Sequence, residues 1–243
     1  MYGGAGCREI SGCLSRLKRQ ARVYQVFNIP FIGEGDSTTP FPRPENALQE
    51  PNGLVAAGGD LSPERLLMAY QAGIFPWFSQ GDPILWWSPD PRCVIFPENF
   101  TPNRSLRKVL KRGLFEIRKN TAFEQVIHAC ALPRKHESGT WITDSMKKAY
   151  NQMHTLGHAH SIEAWQDNQL VGGLYGIAIG KVFFGESMFS QVDNASKVAL
   201  TTLTLSSQYQ LIDCQMQSAH LLNMGAALIP RTQFQSLLDT LIR

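Results

Sequence analysis

Four prolines within one 20-residue stretch constrain this chain more than any other feature of its sequence. The stretch covers residues 73–92 and also holds three of the chain's five tryptophans. Proline fixes φ and removes a hydrogen-bond donor, so this stretch is predicted to form neither a long helix nor a central strand. We predict an ordered loop that displays Trp77, Phe78, Trp86 and Trp87. Such a loop either lines a pocket for a planar or apolar ligand group or fills the core with its own rings.

The composition is that of an ordinary globular protein. The 243 residues provide enough chain for one large domain or two small ones. No apolar run approaches the roughly 20 residues that span a bilayer, and the N-terminus lacks the apolar core of a secretory signal. The five cysteines are scattered and form no CxxC pair. We therefore predict a cytoplasmic protein with reduced thiols, no membrane association and no structural zinc site.

The first 27 residues differ in composition from the rest of the chain. Five lysines and arginines face a single acid, Glu9, and glycine and serine are frequent. A basic, acid-poor start of this kind is compatible with a transit peptide. A disordered extension, or a start codon placed too far upstream, agrees better with it. We therefore expect residues 1–27 to lie outside the fold.

A short helix is predicted immediately before the proline-rich stretch. Ser62 is a candidate N-cap, Pro63 suits the first helical position, and Gly73 ends the helix. Tyr70 shares one face of this helix with leucines that belong to the core. Two interpretations of Tyr70 remain open, a core tyrosine with a satisfied hydroxyl and a ligand contact.

A basic stripe is predicted on a helix at residues 103–112. Four cations fall at i, i+4, i+7 and i+8 with no acid among them, and Arg107 lies off the stripe. Like charges on one face repel one another unless an anion is bound, so a nucleic-acid phosphate backbone is the natural partner. A solvated basic face is the alternative. The four residues are Arg104, Lys108, Lys111 and Arg112.

The second half of the chain changes from helical to strand periodicity and back. Helices are predicted at 143–156, 195–207 and 218–224, and strands at 160–165, 170–179, 182–189 and 211–215. Compact turns between the first three strands indicate an antiparallel meander. Asp193 or Asn194 is predicted to cap the helix at 195–207. The pattern predicts an α+β domain, with helices packed on a mostly antiparallel sheet.

Two carboxylates stand out because they fall late in neighbouring predicted strands. Glu186 lies near the end of the third strand, and Asp213 lies in the strand after the next helix. Gln215 is two residues beyond Asp213, so both side chains would share one strand face. The pair could orient or deprotonate a reacting amine and hydrogen-bond the substrate. Alternatively, Asp213 only binds backbone N–H groups at a strand end.

Several common cofactor signatures are missing from the sequence. His154, His158 and His160 are spaced like metal ligands, but no acid or cysteine nearby completes a set, so we expect no metal. No Gly-x-Ser-x-Gly elbow, GxGxxG or P-loop is present. The junction at residues 190–197 contains no glycine and places Asp193 where a coenzyme A diphosphate would sit. The sequence therefore argues against coenzyme A.

Eight motifs occur in order from about residue 41 to the C-terminus. They cover residues 51–54, 58–62, 73–79, 86–92, 139–143, 157–163, 185–190 and 212–215. Together they resemble the bacterial leucyl/phenylalanyl-tRNA–protein transferase family. The resemblance implies a small N-terminal domain, placed at residues 28–92, joined to a catalytic domain with the acetyltransferase (GNAT-like) fold at residues 93–243.

The resemblance also implies an activity. Leu or Phe, and less readily Met, would pass from aminoacyl-tRNA to the N-terminal Arg or Lys of an acceptor protein, which is thereby marked for degradation in an N-degron pathway. The family uses no coenzyme A or other cofactor, and we expect a monomer. Two functions from other classes remain as alternatives, a coenzyme A-dependent N-acyltransferase and a non-catalytic tRNA-binding protein.

Site residues follow from the resemblance position by position. Asp213 and Gln215 match the family's catalytic pair, and Glu186 matches a residue of the same site. The basic stripe matches the cluster that holds the tRNA acceptor stem. Ser218 departs from the pattern, because the family often has Asn there. The positions expected around the aminoacyl-adenosine are Tyr70, Trp77, Trp141, Phe183, Ser187 and Met188.

Overall fold

The computed structural model of the protein describes residues 29–35, 39–132 and 141–242. The chain divides into two compact units after Ser88. The basic segment 1–27, predicted to be a disordered extension, lies outside the described residues. None of the described helices combines the length and the apolar character needed to cross a membrane.

The first unit is built around a small sheet. Its described strands are β1 (Phe31–Ile32), β2 (Leu54–Gly58), β3 (Phe75–Pro76) and β4 (Leu85–Trp87), in the spatial order β1-β2-β4-β3. β1 runs parallel to β2, and the other pairs are antiparallel. Helix α1 (Pro63–Gln71) begins as predicted, because the Ser62 side chain accepts a hydrogen bond from the Arg65 N–H at 3.3 Å. A 3-10 helix covers Pro44–Asn46.

The prediction that residues 73–92 form a loop without a central strand is wrong in part. Residues 85–87 form a strand that pairs with β2 on one side and β3 on the other. The reason is that the flanking prolines, Pro83 and Pro89, lie outside these three residues, so the ladder loses no donor. Trp86 is fully buried and its indole N–H donates to the Gly58 carbonyl at 2.8 Å. Phe78 is also buried, whereas Trp77 keeps 39% of its surface exposed.

The second unit is built around a larger sheet. Its described strands follow the spatial order β11-β5-β10-β9-β8-β7-β6. Every neighbouring pair is antiparallel except β9 and β10, which are parallel. The mostly antiparallel sheet of an α+β domain is therefore confirmed. The strands are β5 (Arg92–Ile95), β6 (Glu116–Lys119), β7 (Ala159–Gln166), β8 (Gln169–Ile179), β9 (Val182–Ser190), β10 (Leu211–Gln215) and β11 (Ala227–Ile229).

Four of the six α-helices that the structure describes in the second unit were predicted from the sequence. Those predicted at 103–112, 143–156, 195–207 and 218–224 are found within two residues of their predicted ends. Helices α3 and α7 were not predicted, and neither has a side-chain N-cap. The set is α2 (Arg104–Arg112), α3 (Phe123–Cys130), α4 (Asp144–Thr155), α5 (Ala195–Leu205), α6 (Ala219–Asn223) and α7 (Arg231–Leu241).

The N-terminus of α5 is capped differently from the prediction. Asn194 occupies the N-cap position, but its backbone is left-handed (φ 71°) and its side chain makes no cap hydrogen bond. Instead, the Ser190 hydroxyl accepts from the Ser196 N–H at 3.2 Å. The end of β9 therefore supplies the cap, which ties the strand to the helix that follows it.

The main core of the second unit lies where α2 and α5 pack on the sheet. Leu106 from α2, Leu200 and Leu203 from α5, and Phe183 and Ile212 from the sheet are all buried there. Helix α5 can approach strand β8 closely because Gly172 on β8 lacks a side chain. A Cβ at that position would lie 2.5 Å from the Cβ of Ala195. This packing fixes β9 and β10, the two strands that carry the predicted catalytic residues.

The three cysteines that the structure describes are free: Cys93, Cys130 and Cys214. Two of them, Cys93 on β5 and Cys214 on β10, are close enough to hydrogen-bond, and this contact lowers the pKa of the Cys93 thiol.

Candidate active site

The two parallel strands separate at the point where the predicted polar residues lie. β9 and β10 are paired through residues 182–184 and 211–213, and Phe184 opposite Asp213 is the last pair. Glu186 lies two residues further along β9, and Gln215 lies two residues further along β10. The opening between the strands is therefore lined by residues just beyond the last ladder pair.

Glu186 occupies an irregularity in the pairing of β9 with β8. Gly185 lies opposite Gly176 and Ser187 lies opposite Tyr175, so Glu186 is an extra residue in β9 that faces no single residue of β8. A β-bulge of this kind re-aims a side chain and is common beside active sites. The Glu186 side chain lines the opening and is only 8% exposed.

Gln215 lies in a second irregularity, between β10 and β5. The register shifts between Asp213 and Gln215, and Gln215 has a left-handed backbone with φ 61°. A residue with a side chain in this region is strained by about 1–3 kcal/mol, so its surroundings must hold it there. The Gln215 N–H donates to Asp213 Oδ1 at 2.9 Å, which supplies part of that restraint.

The side chains of Gln215 and Glu186 bridge the opening directly. Gln215 Nε2 donates to Glu186 Oε1 at 2.7 Å, and the Tyr150 hydroxyl donates to Glu186 Oε2 at 2.9 Å. Because a carboxylate only accepts, the Gln215 amide must direct its NH2 group toward Glu186. Its carbonyl oxygen is then oriented away from Glu186 as a hydrogen-bond acceptor.

Asp213 has a partner that the sequence did not predict. Arg92 Nε donates to Asp213 Oδ1 at 2.8 Å and Arg92 Nη2 donates to Oδ2 at 2.7 Å, and both side chains are buried. The alternative that Asp213 only binds backbone N–H groups is therefore incomplete. Arg92 ends the motif at residues 86–92, and that position was the one available signal. Nothing in the sequence connects it with a strand 121 residues away.

A cavity of about 990 Å³ opens beside this network. Its wall combines the polar pair with buried apolar side chains from β8, α5 and β10, namely Leu174, Leu200, Leu203 and Ile212. Such a cavity can enclose an apolar group beside a hydrogen-bonding one. Seven of the predicted site residues contribute to its wall: Trp141, Phe183, Glu186, Ser187, Met188, Asp213 and Gln215. Ser218 borders it too, and its hydroxyl caps α6 by accepting from the Leu221 N–H.

Tyr175 was not singled out by the sequence, yet it also borders the cavity. Its ring packs edge-on against Tyr150, with centroids 5.6 Å apart. Its hydroxyl is buried and has no hydrogen-bond partner in the described part of the chain. Burial raises the pKa of Tyr175, and the negative charge of Glu186 raises it further.

Other predicted site residues lie elsewhere. Tyr70 and Trp77 belong to the first unit, where Tyr70 is fully buried on α1. The Trp77 indole is partly exposed and packs edge-on against Trp87, whose N–H donates to the Trp77 carbonyl. The four cations of the basic stripe are exposed on α2, and Arg107, which the spacing placed off the stripe, is exposed with them.

The rings of His154 and His160 take part in ordinary packing and hydrogen bonding, and His158 makes backbone hydrogen bonds. The His154 ring stacks on Phe123 at 4.2 Å and its Nδ1 contacts the Ala159 carbonyl at 2.8 Å. His160 Nδ1 lies 2.9 Å from the Asn120 side chain, and burial lowers the pKa of His160. Within the described ranges, no group of three His, Cys, Asp or Glu side chains could hold a metal ion.

Comparison with protein families gives two adjoining matches. Residues 94–239 match the family model described as leucyl/phenylalanyl-tRNA protein transferase. Residues 59–90 match the model for the N-terminal domain of the same family. The larger match contains the whole Glu186–Gln215–Asp213 network.

Curated relatives give the same result over most of the chain. A leucyl/phenylalanyl-tRNA–protein transferase of Nitrosomonas eutropha is 60% identical over 208 residues, which cover 84% of this chain and 89% of the relative. One from Cellvibrio japonicus is 55% identical over 201 residues, 82% of this chain and 86% of the relative.

Resemblance to solved structures is much more distant. A conserved protein of unknown function from Bacteroides thetaiotaomicron superposes with a TM-score of 0.43 at 11% identity, covering 58% of this chain and 57% of that one. At this level the similarity carries no argument about function.

Proposed function

This chain belongs to the leucyl/phenylalanyl-tRNA–protein transferase family, and we propose that it transfers Leu or Phe, and less readily Met, from aminoacyl-tRNA to acceptor proteins that begin with Arg or Lys. The transferred residue marks the acceptor for degradation in an N-degron pathway. The observation that carries the proposal is the cavity in which the Glu186–Gln215 pair lies beside an apolar wall.

The donor side chain is assigned to the apolar part of the cavity. Leu174, Phe183 and Ile212 are buried there around a large volume, and Met188 adds a flexible thioether. A pocket of this chemistry accepts either the branched Leu side chain or the flat Phe ring. β-branched Val and Ile are expected to fit worse, because their branch lies next to the backbone.

The chemistry requires little more than positioning, because the aminoacyl ester is already activated. The acceptor's α-amine attacks the ester carbonyl carbon, a C–N bond forms, and the C–O bond to the ribose breaks. The amine loses a proton and the ribose oxygen gains one. Gln215 is assigned to this amine, since its carbonyl oxygen is an acceptor held in a fixed direction by Glu186 and Asp213.

The tRNA is assigned to the α2 surface. Arg104, Lys108, Lys111 and Arg112 are exposed on one helix, and charges of this kind bind phosphates with little sequence preference. The terminal adenosine is assigned to the Trp77 indole. The partly exposed indole of Trp77 supports a stacking role, since aromatic faces bind any base.

We further assign the GNAT-like fold to the catalytic domain at residues 93–243, and a small N-terminal domain to residues 28–92. The separation of the parallel strands β9 and β10 in an otherwise antiparallel sheet supports the first assignment. The division after Ser88 and the two adjoining family matches support the second. We also propose that the protein acts as a cytoplasmic monomer, where charged tRNA is available, and light scattering of the purified protein tests its mass.

A transfer assay tests the proposed function. Labelled Leu-tRNA is incubated with the protein and a peptide that begins with Arg. We expect label in this peptide and in the variant that begins with Lys. We expect none in the variant that begins with Asp or in the Arg peptide acetylated at its N-terminus. Transfer without an aminoacyl-tRNA donor would favour the N-acyltransferase alternative. Binding of charged and uncharged tRNA with no transfer would favour the tRNA-binding alternative.

A further inference from the structure

We propose that Arg92 is a positioning residue of the transfer reaction, because it fixes Asp213 and, through Asp213, the direction of Gln215. The inference rests on the proposed function, since it assigns a role within that same site. Neither the sequence motifs nor the family match gives Arg92 this role.

The hydrogen bonds of Asp213 leave it little freedom. Its Oδ1 accepts from Arg92 Nε at 2.8 Å and from the Gln215 N–H at 2.9 Å, while its Oδ2 accepts from Arg92 Nη2 at 2.7 Å. The Asp213 side chain is fully buried. Both carboxylate oxygens are thus engaged within the protein, which suits a group that holds its neighbours better than one that collects a proton from substrate.

Arg92 is itself held on its other side. It begins β5, the antiparallel neighbour of β10, and its guanidinium lies 4.6 Å from the centroid of the Phe234 ring. Phe234 on α7 is fully buried. The guanidinium is therefore fixed between an aromatic face and a carboxylate, and it offers Asp213 two parallel donors in one plane.

The position of Asp213 affects the reaction through Gln215, whose backbone is strained. Gln215 keeps its left-handed backbone while its N–H is bound to Asp213, and its amide then meets Glu186 at 2.7 Å. If Asp213 turns, the Gln215 backbone can relax, and its side chain loses its direction. A buried ion pair contributes little to net stability, so its value here lies in the orientation it imposes.

The first test is Arg92→Lys, which keeps the positive charge but replaces the bidentate guanidinium by a single ammonium group. We expect kcat for Leu transfer to fall about 100-fold, as misplacement by about 1 Å can cause. We expect KM for Leu-tRNA and for the Arg peptide to change little. Arg118→Lys is the matched control, because Arg118 also grips a carboxylate with two donors, that of Glu116, but on the surface. It should transfer Leu at the wild-type rate.

The second test separates positioning from folding. Arg92→Met alone leaves Asp213 as an uncompensated buried charge and is expected to destabilise the fold strongly, whereas Arg92→Met with Asp213→Asn removes both charges. We expect the double variant to have a Tm near that of the wild type while kcat stays low. Recovery of both Tm and kcat would show that the pair serves only stability, and would overturn the inference.

The pH–rate profile of Asp213→Asn completes the test. If Asp213 positions Gln215, kcat falls but the acidic limb of the profile keeps its wild-type midpoint. Loss of that limb would show that Asp213 itself accepts the proton, which would overturn the inference. A wild-type kcat in Arg92→Lys would also overturn it. Absence of transfer by the wild-type protein would instead refute the proposed function.

Discussion

At the scale of single residues, the site is a chain of hydrogen bonds of which the sequence identified only part. The ordered motifs predicted Glu186, Asp213 and Gln215, since each lies in a short distinctive run. Arg92 and Tyr150 could not be predicted, because their partners lie 121 and 36 residues away along the chain. Such pairings depend on which strands become neighbours, and local patterns carry no information about that.

Tyr175 provides a test at this scale that concerns stability. Its hydroxyl is buried without a partner in the described residues, and such a group costs about 1–3 kcal/mol. Tyr175→Phe keeps the ring packing on Tyr150 and removes only the hydroxyl. We expect the variant to be more stable than the wild type, by roughly 2–4 °C in Tm for each kcal/mol gained. Differential scanning calorimetry measures this.

Thr201→Val is the matched control for Tyr175→Phe. Thr201 carries another buried hydroxyl with no partner among the described residues, but it is not part of the cavity wall. It should also gain stability. A lower Tm for Tyr175→Phe would mean that an ordered water or another group satisfies the Tyr175 hydroxyl in solution.

At the scale of elements, strands and helices with clear periodicity were predicted well, and their irregularities were not. The bounds of β7 to β10 agree with the sequence to within one residue. The bulge at Glu186 and the register shift between Asp213 and Gln215 were not predicted, because a bulge depends on the register between two strands. β6 and β11 were missed for a different reason. They are only four and three residues long, too short to show a period.

The surface of α2 is tested by charge reversal. Changing Arg104, Lys108, Lys111 and Arg112 to Glu should weaken tRNA binding strongly, because each cation that binds a phosphate releases a counterion. The slope of log K against log salt should become less steep by about 0.9 for each phosphate that is no longer neutralised. Fluorescence anisotropy at several salt concentrations measures both quantities. Reversal of the exposed Lys148 and Lys181 is the control, and equal weakening by the control would argue against a specific α2 surface.

The N-terminus of α3 is held by a residue from a neighbouring strand, and this predicts an acid-sensitive contact. The N-cap residue of α3 is Ala122, whose side chain makes no cap hydrogen bond. Instead, the buried Glu163 carboxylate on β7 accepts from the N–H groups of Thr121 and Ala122, each at 2.9 Å, and from the Ser161 hydroxyl at 2.7 Å. Burial alone acts to raise the pKa of Glu163, but these hydrogen bonds outweigh it and hold that pKa below its usual value.

The sign of the pH effect follows from the lowered pKa of Glu163. The stabilisation is fully present above the pKa of an unfolded-state Glu, about 4.3, and is lost as pH falls through the lower folded-state value. Glu163→Gln should reduce the free energy of unfolding by about 1–3 kcal/mol at pH 7. The reason is that the NH2 group of Gln cannot accept the hydrogen bonds that the replaced carboxylate oxygen accepts. Urea unfolding should show the difference from wild type shrinking below about pH 4. A constant difference at every pH would exclude this role for the Glu163 charge.

At the scale of the whole molecule, the α+β class could be predicted because alternating strands and helices limit the possible layers. The arrangement of the larger sheet could not. β5 directly follows the first unit in the chain, yet it lies between β10 and β11, which are more than 100 residues further on. Long-range pairing of short strands produces no local sequence pattern. The pairing of β5 with β10, which brings Arg92 to Asp213, could therefore not be predicted.

The choice of donor distinguishes this molecule from a coenzyme A-dependent enzyme and gives a prediction for the intact chain. A diphosphate would need free N–H groups at the start of α5, but the Ser196 N–H is already bound to the Ser190 hydroxyl, and the exposed acid Asp193 lies three residues earlier in the chain. Millimolar acetyl-coenzyme A should therefore leave Tm unchanged and should not compete with Leu-tRNA. A clear rise in Tm with acetyl-coenzyme A would contradict this interpretation of the α5 junction.

The separation of β9 from β10 has a consequence for how this protein can fail. Glu186 and Gln215 lie beyond the last pair between β9 and β10, so side-chain substitutions there leave that pairing in place. Variants at these two positions should accumulate in the cell at normal levels and still be inactive. Measurements of abundance or solubility would classify them as harmless, and only an assay of product would reveal the loss.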